Sequence, residues 1–279
     1  MQTYLECYTC FVRMAIEAGF LVGANEEQQR QIVKESLRIL LDAPFEMKPP
    51  QLGDPIHRKV REITGNADPY LKLKQQSTQQ ALQMIPDLKR KIHSSKDPME
   101  TAVRLSVAGN IMDFGVRKEF DLDFVVEQVL TQPFAYWDYP SLREALQKTP
   151  WVLYLADNSG ETVFDRLLIE QLKVPVYYVV KSGPIINDAT RVEAISAGID
   201  QVATIIECGS DTPGTFLERS SEEFLNLYHT AAVIIAKGQA QYEMLSEEGP
   251  RLFFLLQAKC AILARDLNVP QDSFVVKQG

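Results

Sequence analysis

Two hydrophobic patterns meet near residue 150. Up to that point, apolar residues recur at three- and four-residue intervals, the period of a helix face. The pattern predicts helices over Tyr4 to Phe20, Glu26 to Leu41, Tyr70 to Ile92, Met99 to Phe114, Asp121 to Leu130 and Ser141 to Gln147. In the second of these, Ile32, Leu37, Leu40 and Leu41 share one face. Asp54-Pro55, Asp68-Pro69 and Asp97-Pro98 each offer a capping carboxylate followed by a proline suited to the first helical position. Pro86 should kink or break the long stretch that contains it.

From Trp151 onward, short apolar runs alternate with helical patterns. The runs are Trp151 to Ala156, Val174 to Val180, Val202 to Ile206, Ala231 to Ala236 and Leu252 to Leu256. Between them lie helical patterns over Thr162 to Leu172, Ala189 to Ala197, Phe216 to Leu227 and Tyr242 to Glu247. Strand–helix alternation implies right-handed crossovers and a sheet covered on both faces. The expected fold is therefore α/β: a doubly wound, Rossmann-like, three-layer, mainly parallel sheet over residues 149–279, after an all-helical domain over residues 1–148.

The residues that follow each run share a polar bias. Asp157 and Asn158 follow the first, and Lys181, Ser182, Gly183, Asn187 and Asp188 the second. Gly209, Ser210 and Asp211 follow the third; Lys237, Gly238, Gln239 and, further on, Glu243 follow the fourth. Parallel strands bring all of these to one edge, where open α/β sheets bind ligands. Each has a plainer reading as a turn or a helix cap. Common α/β chemistries fail on the same turns: no G-x-G-x-x-G, no Walker loop and no G-x-S-x-G elbow is present. Oxygen donors from Asp157, Asn158 and Asp188 remain, a set that suits Mg²⁺ or Mn²⁺ rather than a structural zinc.

Composition narrows the field further. A chain of 279 residues with 46% hydrophobic and 24% charged residues has ample material for a core. Its formal charge of −8 argues against a broad nucleic-acid or anionic-membrane surface. No run is long and apolar enough to span a bilayer, and Glu6, Arg13 and Glu17 interrupt the N-terminus where a secretory signal would be apolar. Four cysteines in so long a chain suggest a reducing, cytoplasmic setting. Cys7 and Cys10, three apart on a helix, face one side, whereas Cys208 and Cys260 read as core. His57, His93 and His229 show no ligand spacing and read as packed or solvated.

Motifs along the whole chain resemble the metal-dependent damage-control phosphatases, the family once called domain of unknown function eighty-nine, which includes acidic-residue methyltransferase-like proteins. They are Glu6-Cys7-Tyr-Thr-Cys10, Gly109-Asn110-Ile-Met-Asp113-Phe-Gly, Asp157-Asn158-Ser159-Gly160-Glu161-x-x-x-Asp165, Lys181 through Asn187-Asp188, Lys237-Gly238 through Glu243, and Leu255 through Cys260. The paired cysteines resemble the branch found mainly in prokaryotes, and Gln241 departs from its usual asparagine. The resemblance implies one divalent ion (Mg, Mn, Co or Ni) held by Asp157, Asn158 and Asp188, with Lys237 on the substrate phosphate and Asn110 reaching the cleft. Asp157, Asp188, Lys237 and Glu161 are then the catalytic candidates. Asn110, Asp113, Ser159, Gly160, Asn187, Gly238 and Glu243 are the substrate-binding ones.

The implied activity is hydrolysis of small phosphorylated metabolites such as sugar phosphates, nucleotides or damaged cofactor intermediates, with backbone N–H groups after Asn158 taking part of the phosphate charge. Glu161, Asp165 and Glu243 could act as bases or orient the metal ligands. One rival is a carboxyl methyltransferase using S-adenosylmethionine, weakened by the single glycine in the first turn. Another is a non-enzymatic metal or redox sensor built on Cys7 and Cys10.

Overall fold

The computed structural model describes residues 1–44, 46–110 and 122–279. Six helices come first: α1 (Leu5–Leu21), α2 (Glu26–Asp42), α3 (Pro49–Thr64), α4 (Leu71–Ser94), α5 (Pro98–Gly109) and α6 (Leu122–Thr131). A two-residue strand, β1 (Tyr136–Trp137), and α7 (Tyr139–Lys148) follow. The alternating part runs β2 (Val152–Leu155), α8 (Glu161–Ile169), β3 (Val176–Val180), α9 (Arg191–Ser196), β4 (Thr204–Glu207), α10 (Glu222–Thr230), β5 (Ile234–Lys237) and α11 (Gln239–Leu245). It ends with β6 (Leu252–Gln257), α12 (Ala261–Leu267) and β7 (Phe274–Gln278).

The seven strands form one sheet in the order β1-β7-β6-β5-β2-β3-β4. Every neighbouring pair is parallel except β6 and β7. The five apolar runs became β2 to β6. The alternating pattern missed β7 and β1, and β1 joins the sheet from a stretch that reads as helical. All residues of β2, β5 and β6 are buried, as continuous apolar runs require when both faces are covered.

Side-chain alternation splits the interior in two. Tyr154, Tyr178, Ile235 and Leu255 pack with α4, α5, α6 and α8 on one face. Leu155, Val179, Ala236 and Phe254 pack with α10, α11 and α12 on the other. A third cluster, including Ala15, Ile32, Leu40, Leu52 and Ile56, lies among α1, α2 and α3. No described helix is long and apolar enough to cross a membrane.

The Asp-Pro signals had different fates. Asp97 caps α5, accepting from the Glu100 N–H at 3.1 Å with Pro98 at the first position. Asp68 accepts from the Tyr70 N–H and pairs with Lys74 Nζ at 2.6 Å, and α4 begins just after it. Asp54-Pro55 does not start a helix: α3 begins at Pro49-Pro50, whose fixed φ angles suit a first turn, and Asp54 lies inside it. Its carboxylate binds Arg58 and Arg219 instead. Helix α4 runs unbroken through Pro86, with α5 and α8 packed against it supplying the contacts that hold it.

Candidate active site

Strand order reverses around β2, which has β3 on one side and β5 on the other. Loops after such a strand diverge and leave a crevice. Here the loops after β2 and β3 zip together: the Ala189 N–H donates to Asp157 O at 2.8 Å and the Ser159 N–H to Asn187 O at 2.9 Å. An antiparallel bridge joins Asn158 to Asp188. This pairing is what brings residues from two turns, thirty positions apart, to one place. The turn is held at Ile186, whose φ of 46° is strained for a β-branched residue. Its side chain packs against the core of α1–α3.

Amides fix the carboxylates. Asn110 Nδ2, from the end of α5, donates to Asp157 Oδ2 at 2.9 Å and to Glu161 Oε2 at 3.1 Å. Asn158 Nδ2 makes the same two bonds, at 2.8 and 3.1 Å. The Gln257 N–H in turn donates to Asn110 Oδ1 at 3.2 Å, so the bridging amide is itself anchored to β6. On the other side, Gly238 adopts φ 81° and approaches so closely that a Cβ there would overlap the Asp157 carboxylate. Lys181 Nζ lies 3.6 Å from Asp188 Oδ2 and donates to Gly214 O.

Beneath these groups is a closed polar cluster. Lys237 is fully buried, and Nζ donates to Glu161 Oε1 (2.5 Å), Asp165 Oδ1 (2.7 Å) and Ser106 O (3.0 Å). Burial acts to lower its pKa, but the two carboxylates outweigh burial and raise it, so the ammonium is held charged. Asp165 also accepts from the Tyr154 and Tyr178 hydroxyls at 2.7 and 2.8 Å. Burial drives both phenols well above their ordinary range. They act as neutral donors.

A cavity of about 600 Å³ opens over Asp157, Asn158, Asn187 and Asp188. Its remaining walls come from α1 (Cys7, Cys10, Arg13), the start of α3, Gln239 and Glu243 on α11, and Lys259 and Cys260 after β6. Burial raises Glu243 to about 7, partly countered by a 2.6 Å bond from Gln239 Nε2. Cys7 and Cys260 are likewise raised by burial, and all four cysteines are free. Cys7 and Cys10 thus border the cavity, as does Cys260, which the sequence places in the core.

The structure therefore brings Asp157, Asn158, Asp188, Asn187 and Glu243 to one cavity and Asn110 to the back of Asp157. Lys237 and Glu161 sit below it. Ser159 donates through Oγ to Asn187 O at 2.8 Å, and Gly160 packs on Ser77 of α4, so both lie off the cavity. With the Ser159 N–H already committed to Asn187, that donor faces protein instead of the cavity. Asp211, on the same sheet edge, turns to Arg58 and Arg61. Asp113 lies outside the described residues. Sequence reading missed the partners of Asp165: Tyr154 and Tyr178 are tyrosines inside wholly apolar strands, a position that demands a buried acceptor.

Fold and site define a doubly wound α/β protein with an oxygen-donor centre at its topological switch point. The model of the damage-control phosphatase ARMT1-like domain matches residues 3–275. A damage-control phosphatase from Pyrococcus horikoshii is 34% identical over 282 residues, spanning 99% of this chain and 97% of that protein. Another, from Archaeoglobus fulgidus, is 34% identical over 283 residues, spanning 97% of each. The crystal structure of a DUF89 family protein from Pyrococcus horikoshii superposes with a TM-score of 0.91 at 32% identity, over 100% of this chain and 99% of that one. The chain belongs to the damage-control phosphatase family.

Proposed function

We propose that the chain is a divalent-metal-dependent phosphatase releasing phosphate from small phosphorylated metabolites such as sugar phosphates, nucleotides or damaged cofactor intermediates. The observation that carries this reading is the meeting of Asp157, Asn158 and Asp188 on one cavity, in a fold shared with relatives named as phosphatases.

The residues fit a hard cation. Carboxylates and an amide carbonyl supply only oxygen donors. With Asn158 Nδ2 turned to Asp157 and Glu161, the opposite, carbonyl side of that amide is the side available to an ion. Charge agrees: Asp157, Glu161, Asp165 and Asp188 are four carboxylates against two ammonium groups, Lys181 and Lys237. The difference, two negative charges, is what a divalent ion offsets. Asp157, Asn158 and Asp188 would hold Mg²⁺, Mn²⁺, Co²⁺ or Ni²⁺, and the bound ion would polarise a phosphoryl oxygen and neutralise developing charge.

The chain's own groups do the rest. Asn110 fixes the Asp157 carboxylate, and Lys237, its three donors committed, acts on the site through Glu161. Ser159, Gly160 and Gly238 shape the turns, while Asn187 and Glu243 face the substrate. Arg13 and Lys259 line the same cavity and suit an anionic metabolite. Four free thiols fit a reducing cytoplasm. Asp157→Ala and Asp188→Ala should each abolish metal-stimulated phosphate release across a panel of sugar phosphates and nucleotides, and weaken Mn²⁺ binding measured by calorimetry. Full activity in both variants would end the assignment.

A further inference from the structure

We infer that Glu243 is the proton donor to the departing alcohol in this phosphatase, a role that rests on the reading above and extends it to the leaving group. Geometry comes first. Glu243 is on the cavity wall one helical turn beyond Gln239, on the helix whose preceding glycine touches Asp157. It is 4% exposed, and the donor it meets is the neutral amide of Gln239 rather than a lysine or arginine. The cavity's other acids are differently engaged. Asp157 and Asp188 are the metal candidates, and Glu6 is exposed and paired with Arg265 at 3.0 Å. Glu161 and Asp165, below the cavity, are bound to Lys237.

Other elements bring their own ionisable groups to Glu243. Cys7 comes from α1, Cys260 from the turn before α12, and Asp266 from α12, with the amino group of Met1 acting against Asp266. The thiols, raised by burial, are uncharged near neutral pH, so the Asp266 carboxylate favours retention of the proton and the Met1 ammonium opposes it. Held at about 7, the carboxyl keeps a proton near neutrality yet can give it up, the balance general acid catalysis wants.

The step balances. The bond from phosphorus to the alcohol oxygen breaks, and that oxygen keeps the electron pair and takes the Glu243 proton. Water supplies the new oxygen on phosphorus and releases a proton that restores the carboxyl.

A general acid matters most for a poor leaving group, so two substrates separate it from a structural role. Glu243→Gln should lower kcat on an alkyl phosphate such as glycerol phosphate by about 10²-fold or more. It should lower kcat on p-nitrophenyl phosphate, whose phenolate departs with little need of a proton, by a far smaller factor. The parent protein's kcat on the alkyl substrate should fall above neutral pH, and this fall should vanish in the variant and return in part with Glu243→Asp. Mn²⁺ binding by calorimetry should match the parent protein, which confirms an intact site. Equal losses on both substrates, or none on either, would overturn the role. A parent protein inactive on both substrates with every metal would instead overturn the phosphatase reading beneath it.

Discussion

Glu243 carries a stability cost whose sign is readable. Its carboxyl, ordinarily at 4.5, sits at about 7 in the folded chain because burial penalises the anion. The folded state therefore holds a proton that the unfolded state has lost. Stability is fully present below pH 4.5 and declines as pH rises toward 7, by about 3 kcal/mol for a shift of this size. His57 runs the opposite way. Burial first, then Arg61, lowers it to about 4, so it opposes folding progressively below pH 6.5. The two overlap between those limits, and only a comparison of variants isolates either. Urea unfolding should show Glu243→Gln more stable than the parent at pH 8, by up to about 3 kcal/mol, and no different at pH 4. An equal difference at both pH values would show that the carboxyl is not held protonated.

Among elements, the end of β5 is the most constrained. Lys237 there ties α8, through Glu161 and Asp165, to α5, through Ser106 O. Lys237→Met keeps most of the side-chain volume but leaves two buried carboxylates without their cation. The expected loss is about 3–5 kcal/mol, read as a lower urea midpoint. A midpoint within error of the parent would mean that the tyrosines and amides suffice. Much of the sheet edge was legible beforehand because five strands are apolar runs ended by polar turns. The short β1 and the C-terminal β7 were not, since neither shows a long run and their pairing is set by distant partners. The position of Asp157, Asn158 and Asp188 after adjacent strands was readable. The posture of Lys237 was not: a strand-end lysine looks the same whether it meets a phosphate or a buried pair of acids, and α5 and α8 decide which. Asp54 misled for a related reason, its carboxylate being taken up by arginines from within α3 and from beyond β4.

At the scale of the molecule, the cavity is roofed by helices that have their own core. Apolar contacts of Ile186, Tyr4 and Cys7 and a set of charged side chains together pin α1–α3 to the sheet edge. Asp211, after β4, binds Arg58 at 2.5 Å and Arg61 at 3.0 Å, and Arg61 also donates to Pro184 O after β3. Arg219 reaches the buried Asp54 at 2.6 Å, and Lys48 donates to Met244 O on α11 at 2.8 Å. Because α1 and α3 form walls of the cavity proposed to take the substrate, this network would couple roof position to substrate binding. Asp211→Asn keeps the shape and removes the charge that two arginines share. Arg58 is 41% exposed, so solvent screens its part, and the total loss should be only about 1–2 kcal/mol. The consequence should be local. Amides of α1–α3 should exchange hydrogen faster while those of β2 and β5 keep their protection. KM for phosphorylated substrates should rise with little change in kcat, because the groups proposed to hold the metal and donate the proton belong to the sheet edge and to α11. Raising the salt concentration should move the parent protein toward the variant, since partly exposed ion pairs are screened. Unchanged exchange in α1–α3 would show instead that their apolar packing alone holds the roof, and KM would then have no reason to shift.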